Sequence, residues 1–459
     1  MSALQQYLQR LRSAYVATDP DAVLAGFRID PPTFHALKAH LTATPSQDLT
    51  AVVLSQIPLA SSPFDSERFQ TLVAEYLSFI RDHQHISNVI SPFSSPFAPA
   101  SSQASPRLED VYDAWALVYS RASTFFSLPD TTWFIPTLRY LAASLVSLAM
   151  TVDQRMGLAK KPKTTDAAGR LSKSAGMAGN DRSQARGSET KRAAVLMLAN
   201  LSFKAYFKLN NTRLCETVLG SVENALKLNR SFPGSATRQR DDTGEACYSR
   251  ADRVTYRYYL GRLRLFQHSI KAAATHLRWA FDNCPNQHLK NKRLILIPLI
   301  STYLILGRYP DETLLSISSL TPQFSALVRN LRLGNGAGVN QELDRHMDWF
   351  RVHGLYLILK EKLPISVWRN LARRCLVISR SAAPPSAAPP TLGLAQLHQV
   401  ARLAWQEPEL EVEDVEAILT SLVDQGFVKG YILHSKNMLV LQKGPHLGFP
   451  PIWSVFEGR

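Results

Sequence analysis

Apolar residues recur every three or four positions along most of the chain, and this spacing predicts amphipathic helices. Within the first 157 residues it is clearest in the runs DVYDAWALVYSRASTFF and TLRYLAASLVSLAMTV. It resumes after residue 192 and continues to residue 380. We therefore predict a mainly α protein, with an N-terminal helical region at 1–157 and a second helical part at 193–380.

Two stretches of the second part predict helical hairpins, in which a tight turn joins two helices. The first turns at LNN. The apolar positions that define its two helix faces are Phe203, Tyr206, Phe207, Leu214, Val218 and Val222. The second turns at 267–269, between YYLGRLRLF and IKAAATHLRWAF. Helix pairs of about 35 to 40 residues that cannot bury their apolar sides alone predict an α-solenoid of TPR-like repeats.

A nearly continuous apolar run follows the second hairpin, from Leu294 to Leu306, with basic residues on both sides. A helix of this length would reach roughly 20 Å at about 1.5 Å per residue, whereas the hydrocarbon core of a membrane is about 30 Å thick. We therefore predict a buried helix of the next pair, ended by Gly307 and Pro310. This interpretation favours no membrane association.

The pattern changes after the segment 381–391, which begins SAAPPSAAPP and predicts a stiff Pro/Ala spacer. The runs LAQLHQVARLAW and EVEDVEAILTSLVDQG predict two helices. They precede FVKGYILH and NMLVLQK, which predict two strands joined by a turn near 435–437. Helices followed by a two-stranded hairpin predict a winged helix at 392–450.

The segment 158–192 is polar and almost free of large apolar side chains. Such a segment buries too little to offset the entropy of ordering, so we predict a flexible basic linker. A short basic cluster within it, formed by Lys160, Lys161 and Lys163, is a nuclear-import candidate. The alternative is a cluster that arises by chance.

The net charge of +15 is concentrated in one region, because residues 250–380 contain 21 basic and 8 acidic side chains. Such an excess favours binding of nucleic acid or of an acidic protein. Two alternatives require no ligand: the basic side chains form a solvated surface, or the arginine stems pack on neighbouring helices. The candidate nucleic-acid-binding residues are Arg329, Arg332, Arg345, Arg351, Lys360, Lys362, Arg369, Arg373, Arg374, Lys429, Lys436 and Lys443. Tyr431 either stacks on a base or fills the core of the wing, and we favour the core.

The sequence offers little catalytic chemistry. It contains neither HExxH nor GxSxG, and GNGAG at 334–338 lacks the Lys-Ser/Thr of a phosphate loop, so we predict a loop between helices there. The cysteines are Cys215, Cys247, Cys284 and Cys375, and their spacing predicts reduced thiols without a zinc site. We therefore predict a protein that is not an enzyme and uses no metal or cofactor.

Several separated phrases resemble the PCI-domain family: AYFKLNNTRLCETVL, YYLGRLRLFQ, KNKRLILIPLI and QGFVKGYILH. The resemblance covers 193–450 and is strongest to the branch that contains the messenger-RNA-export subunit of the TREX-2 complex and the twelfth-subunit-like protein of the signalosome. The chain departs from that pattern in the insertion 158–192, in the spacer, and in a winged helix with a net negative charge.

The resemblance implies a scaffold subunit in the nucleus or at the nuclear pore, with some protein in the cytoplasm. It implies three partners: a large PCI-like scaffold subunit, a small acidic disordered subunit shared with the proteasome lid, and RNA or DNA. The alternative is a signalosome-associated PCI subunit that acts only through protein contacts. The sequence leaves open which complex the chain joins.

Overall fold

A computed structural model describes residues 2–29, 33–57, 63–83, 108–157, 159–185, 189–231, 243–381 and 389–457. The chain divides into two compact units, Met1–Tyr256 and Arg257–Arg459. The division falls inside the predicted repeat range 193–380 and not at its start. The first predicted hairpin therefore belongs to unit 1, because its helices pack against the helices that precede it.

The regular secondary structure in the described residues of unit 1 is entirely helical. Its helices are α1 (Ala3–Val16), α2 (Pro20–Phe27), α3 (Thr33–Ala43), α4 (Leu49–Gln56), α5 (Pro63–Asp82), α6 (Leu108–Phe126), α7 (Ile135–Arg155), α8 (Pro162–Gly179), α9 (Val195–Lys208) and α10 (Leu214–Ser231). Helix α11 (Arg250–Phe266) begins in unit 1 and ends in unit 2. Side chains fix several helix starts; Asp19 and Asp48, for example, accept hydrogen bonds from the first free amides of α2 and α4.

The core of unit 1 is rich in aromatic rings, which are buried between α2, α5, α6 and α7. Phe125 and Phe134 meet edge to face with ring centroids 5.0 Å apart. Phe27 and Phe134 form a second edge contact at 6.4 Å. Such contacts add to the stabilisation from apolar burial. One segment of the described residues, Thr132–Arg155, is long and apolar enough to cross a membrane, but 56% of an apolar 18-residue stretch within it is buried inside the protein.

The prediction of a flexible linker at 158–192 is wrong for residues 162–179, which form α8. Ala167, Ala168 and Leu171 on this helix are fully buried. The carboxylate of Asp153 on α7 accepts hydrogen bonds from two amides at the start of α8, at 3.2 and 2.7 Å. These bonds satisfy N–H groups that the first helical turn leaves without a partner.

Close packing explains why α8 is ordered with few large apolar side chains. A Cβ atom added to Gly179 would lie 2.7 Å from the carbonyl oxygen of Ser221 on α10. The hydroxyl of Tyr119 donates a hydrogen bond of 2.9 Å to Ser174 in the buried interface with α6. The alanine, glycine and serine residues of α8 therefore let its backbone and short side chains pack closely against neighbouring helices. Composition alone did not indicate that this segment is ordered.

Unit 2 contains the second predicted hairpin and all that follows it. Its further helices are α12 (Ile270–Asn283), α13 (Leu289–Ile305), α14 (Glu312–Ile317), α15 (Thr321–Leu333), α16 (Gly336–Arg345), α17 (Met347–Val352), α18 (Tyr356–Ser381), α19 (Leu394–Trp405), α20 (Val412–Asp424) and α21 (Ile452–Glu457). Its strands are β1 (Thr391–Gly393), β2 (Gly430–Leu433) and β3 (Met438–Leu441).

Helix α13 confirms the prediction of a buried helix at the apolar run. Residues 295–300 are all buried in the core of unit 2. The helix is closed by Gly307, whose φ of +72° places it in the left-handed region. The amides of Gly307 and Arg308 then bond the carbonyls of Leu304 and Tyr303, as in the glycine-capped ends of many helices.

The winged helix has one more strand than the sequence predicts. Strands β2 and β3 form the predicted antiparallel hairpin, and β1 pairs with the other edge of β3. Because side chains alternate across a strand, Leu392, Leu439 and Ile432 form a row on the core face, and Thr391, Val440 and Tyr431 form a row on the opposite face. Strand β1 is too short to show a period and lies at the end of the predicted spacer, of which 382–388 lie outside the described residues.

Two tryptophans join the winged helix to the helical repeats within unit 2. Trp368 on α18 and Trp405 on α19 stack with ring centroids 5.2 Å apart and an interplanar angle of 20°. Gly336 at the start of α16 also packs on Trp405, since an added Cβ would lie 2.2 Å from Cδ2 of the indole. The two parts therefore share one packed interface.

A histidine in the pair α11–α12 predicts a pH-dependent stability. The Nδ1 atom of His276 lies 2.9 Å from Nη1 of Arg257. Burial, together with Arg257 and Arg264, lowers the pKa of His276 to about 4. Between about pH 6.5 and 4 the unfolded chain binds a proton that the folded chain does not, so the free energy of unfolding should fall as pH decreases through this window.

We expect this loss to be about 1 kcal/mol, because the ring is partly exposed to solvent and the full effect of the shift is screened. Urea denaturation at about pH 7 and about pH 4.5 measures it. Substitution His276→Gln should remove this part of the pH dependence. An identical pH dependence in the variant and the wild-type protein would contradict the assignment.

Candidate functional site

The twelve candidate cations all lie in unit 2, and the structure does not bring them together on one face. Nine are exposed, Lys360 and Lys362 are partly buried, and Arg369 is buried. Helix α18 shows the separation, because about 100° of rotation per residue places Lys362 and Arg373 on one side. Lys360 lies about 140° away from Arg373 around the same helix.

Three of the candidates are paired with carboxylates. The pairs are Arg345 with Glu342 at 2.8 Å, Lys360 with Asp344 at 2.6 Å, and Lys362 with Glu361 at 2.8 Å. Exposed pairs of this kind contribute little to stability, but they neutralise the charge that a phosphate would meet. Arg329, Arg332, Arg351, Arg373 and Arg374 are exposed and form no ion pair with a described carboxylate.

The assignment of Arg369 to a nucleic-acid-binding surface is wrong. Its side chain is 6% exposed, and Nη2 donates hydrogen bonds to the carbonyl oxygens of Phe449 at 2.9 Å and Pro450 at 2.5 Å. Burial and the neighbouring Arg373 lower the pKa of Arg369 to about 10, so the guanidinium remains charged at neutral pH. Arg369 therefore holds the end of the winged helix against α18.

The wing brings two of the predicted lysines together in a surface groove of about 400 Å³. We call this the wing groove; its lining residues are Pro389, Lys429, Gly430, Tyr431, Val440, Leu441, Gln442 and Lys443. Lys429 and Lys443 are both exposed. Lys429 precedes β2 and Lys443 follows β3, so both lie at the same end of the hairpin. The amide of Gln442 donates to the carbonyl of Lys429 at 2.9 Å, which fixes this end.

The preference for Tyr431 as a core residue is wrong. Tyr431 is 58% exposed and lies opposite Val440 on the outer face of the sheet, while Ile432 takes the core face. An exposed aromatic ring beside two ammonium groups combines a stacking surface with positive charge. The wing groove can therefore hold a phosphate and a flat ring at the same time.

Lys436 lies apart from the wing groove, at the tip of the hairpin between β2 and β3. The neighbouring His434 contacts Glu416 of α20 at 3.0 Å. Glu416 belongs to the acidic run 407–416, which contains most of the acidic residues of the winged helix. Lys429 and Lys443 therefore lie at the opposite end of the hairpin from Glu416, whereas Lys436 lies at the same end as Glu416.

Comparison with known proteins identifies the family. The chain is 31% identical over 357 residues to a PCI domain-containing protein of Schizosaccharomyces pombe, and the alignment covers 74% of this chain and 76% of the relative. The chain belongs to the PCI-domain family. It is also 28% identical to PCI domain-containing protein 2 of Danio rerio over 83% of this chain and 94% of the relative. The chain is 30% identical to Enhanced ethylene response protein 5 of Arabidopsis thaliana, and the alignment covers 82% of this chain and 86% of the relative.

No family model matches the chain. The curated relatives nevertheless confirm the predicted resemblance, and the helical fold with a winged-helix end fits the PCI-domain family. PCI-domain proteins are generally scaffolds of multiprotein complexes and not enzymes. Among the described residues, no group of three or more His, Cys, Asp and Glu side chains is arranged to hold a metal ion.

Pro389 and Gln442 are among the lining residues of the wing groove that the sequence of this PCI-domain chain did not single out. Pro389 belongs to a run that composition assigned to a spacer, and only the pairing of β1 with β3 brings it beside the hairpin. Gln442 directly precedes Lys443 and carries no charge, so a search for cations does not find it.

The nuclear-import candidate is partly engaged in contacts within unit 1. The ammonium of Lys163 lies 2.9 Å from Asp113, and that of Lys161 donates to the carbonyl of Lys208 at 3.0 Å. Lys160 is exposed. The cluster precedes and begins α8 of this PCI-domain chain instead of lying in an extended linker, and its import role stays a prediction.

Proposed function

We propose that this chain is a non-enzymatic scaffold subunit of a TREX-2-type complex, which couples transcription to messenger-RNA export at the nuclear pore. In this proposal its helical repeats and winged helix bind partner subunits, and cations of unit 2 bind nucleic acid. The observation that carries the nucleic-acid part is the wing groove, which exposed Tyr431 lines together with Lys429 and Lys443.

Binding in this proposal is mainly to phosphates. Exposed lysines and unpaired arginines attract the nucleic-acid backbone and release its counterions, which gives affinity without strong sequence selectivity. Arg373 and Arg374 on α18 supply further unpaired charge in the same unit. The acidic run 407–416 repels phosphate and restricts the path of the strand to the other end of the winged helix.

The proposed protein partners are a large PCI-like scaffold subunit and a small acidic disordered subunit. Support comes from the membership in the PCI-domain family and from the excess of 21 basic over 8 acidic residues at 250–380, which suits an acidic partner. The proposed location is the nucleus, including the nuclear pore. Affinity purification of the tagged chain from cells, followed by identification of co-purifying subunits, tests this part directly.

A charge-reversal variant tests the nucleic-acid part. Arg373→Glu with Arg374→Glu should weaken binding of a single-stranded RNA by about 10-fold and lower the salt slope by about 2, because two phosphate contacts are lost. Fluorescence anisotropy at several salt concentrations measures both quantities. Arg345→Glu is the matched control, because Arg345 is already paired with Glu342. Equal affinity and slope for the double variant and the wild-type protein would contradict phosphate binding by these residues.

The second candidate is a signalosome-associated subunit that acts only through protein contacts. It is favoured by the three neutralised cations and by the net negative charge of the winged helix. Co-purification separates the two candidates, since recovery of signalosome subunits without an export scaffold, together with absent RNA binding, favours the second.

A further inference from the structure

Trp453 on α21 is 38% exposed although the residues beside it are packed against the rest of unit 2. Ile452 is buried against Gly307, where an added Cβ would lie 2.8 Å from the side chain. Phe456 meets Phe427 edge to face at 5.8 Å. The helix is therefore anchored on both sides of the tryptophan, and the indole is held at the surface.

One arginine lies over this ring, and a second lies over the ring of Tyr309, the residue that follows Arg308. The guanidinium carbon of Arg308 lies 5.4 Å from the centroid of Trp453, and that of Arg332 lies 5.1 Å from the centroid of Tyr309. The hydroxyl of Tyr309 accepts a hydrogen bond of 2.9 Å from Asn370 on α18. Arg373 follows three residues later on that helix. We name Arg308, Tyr309, Arg332, Arg373 and Trp453 the arginine–aromatic cluster.

The charge of this cluster is only partly balanced. Asp311 is one nearby carboxylate, and Arg332 contributes to the lowering of its pKa, after hydrogen bonds from Thr313 and local amides. Arg308, Arg332 and Arg373 are exposed and form no ion pair with a described carboxylate. The local environment therefore combines excess positive charge with accessible aromatic surface.

This combination selects a ligand that is flat and negatively charged. A nucleobase stacks on an indole or on a guanidinium plane, and its phosphate is attracted to the same arginines. Bases within a duplex are already stacked on one another, so only unpaired bases are available for this contact. An acidic protein segment would use the charge, but it would leave the stacking surface of Trp453 without a matching group.

We propose that the arginine–aromatic cluster binds unpaired bases of single-stranded nucleic acid by stacking on Trp453, with phosphates at Arg332 and Arg373. The proposal rests on the nucleic-acid binding proposed above and adds to it a second contact site and a preference for single strands. The wing groove and this cluster lie at the two ends of the loop that joins β3 to α21.

Three oligomers of equal length, about a dozen nucleotides, test the proposal with the full chain: oligouridine RNA, an abasic oligomer that keeps only the phosphates, and a duplex. The wild-type protein should bind oligouridine more tightly than the other two. Trp453→Ala should weaken oligouridine binding by about 10-fold while leaving the affinity for the abasic oligomer and the salt slope unchanged. Trp453→Phe should retain most of the affinity, because it keeps a stacking ring.

Two further measurements make the result specific. Tyr431→Ala is the matched control for loss of an exposed ring in the wing groove, and its effect should add to that of Trp453→Ala. Crosslinking of 4-thiouridine RNA to the wild-type protein should label the peptide that contains Trp453, and this measurement does not depend on the folding of a variant.

The outcomes separate the two proposals. If neither oligouridine nor the abasic oligomer binds, the proposed nucleic-acid function fails and this inference fails with it. If both bind equally and Trp453→Ala changes neither affinity, nucleic-acid binding stands and base stacking on Trp453 is overturned. If Trp453→Ala instead abolishes co-purification of a protein partner with RNA affinity unchanged, the cluster is a protein contact and the inference is likewise overturned.

Discussion

Replacing Arg369 with glutamate should lower the free energy of unfolding by about 4 kcal/mol or more. The substitution removes two hydrogen bonds to the carbonyls of Phe449 and Pro450 and places a carboxylate against the same oxygens in a buried site. It also removes the guanidinium that lies 5.8 Å from the ring of Phe449. Urea denaturation of the full chain, monitored by tryptophan fluorescence, measures the loss.

Arg373→Glu is the matched control, because Arg373 lies one turn further along α18 and is exposed. Its effect on stability should be within about 0.5 kcal/mol of zero. Arg369→Lys should fall between the two, since an ammonium keeps the charge but cannot reproduce the geometry of the guanidinium. Equal stability of Arg369→Glu and Arg373→Glu would show that Arg369 is not buried in solution.

Because Arg369 is buried and Arg373 is exposed, of these two residues only Arg373 is suitable for a charge-reversal test of nucleic-acid binding. A triple reversal of Arg369, Arg373 and Arg374 would unfold part of unit 2 and lose affinity for a reason unrelated to phosphate contacts. The sequence places Arg369 and Arg373 on one helical face, and the structure agrees. The sequence could not indicate that the loop before α21 covers Arg369 and leaves Arg373 in solvent. The contact between Arg369 and Phe449 that decides this joins residues 80 positions apart.

The fold was predictable where a local pattern repeats over many residues. The apolar run of α13, the turn at 267–269 and the β2–β3 hairpin each follow from spacing within one short segment. The order at α8 was not predictable in this way. Its stability depends on close approach to α6, α7, α9 and α10, which small residues permit but do not specify.

The candidate site shows the same limit at the level of single side chains. Alternation along β2 indicates that Tyr431 and Ile432 point to opposite faces, but not which of them faces the core. Pairing with β3, whose Leu439 and Leu441 are buried, decides that Ile432 takes the core face. The arginine–aromatic cluster was harder still, because Arg308 and Trp453 come together only when α21 packs beside the end of α13.

Substitution Gly334→Ala should lower the free energy of unfolding by about 3 kcal/mol, for two reasons that act together. Gly334 ends α15 with a φ of +74°, a conformation that disfavours a side chain. An added Cβ would also lie 2.6 Å from both the Cα and the amide nitrogen of Leu371 on α18. Because these are backbone atoms, no side-chain rotation can relieve the contact. Thermal and urea denaturation measure the loss.

Gly169→Ala is the matched control, because Gly169 lies inside α8 and an added Cβ would meet nothing within 4 Å. Alanine favours the helical conformation over glycine, so this variant should be more stable than the wild-type protein by about 0.5 to 1 kcal/mol. If Gly334→Ala lowers the free energy of unfolding and Gly169→Ala raises it, Gly334 lies where α15 and α18 cross. Equal effects would contradict that packing, and with it the position of α18 on which Arg369, Arg373 and Trp368 all depend.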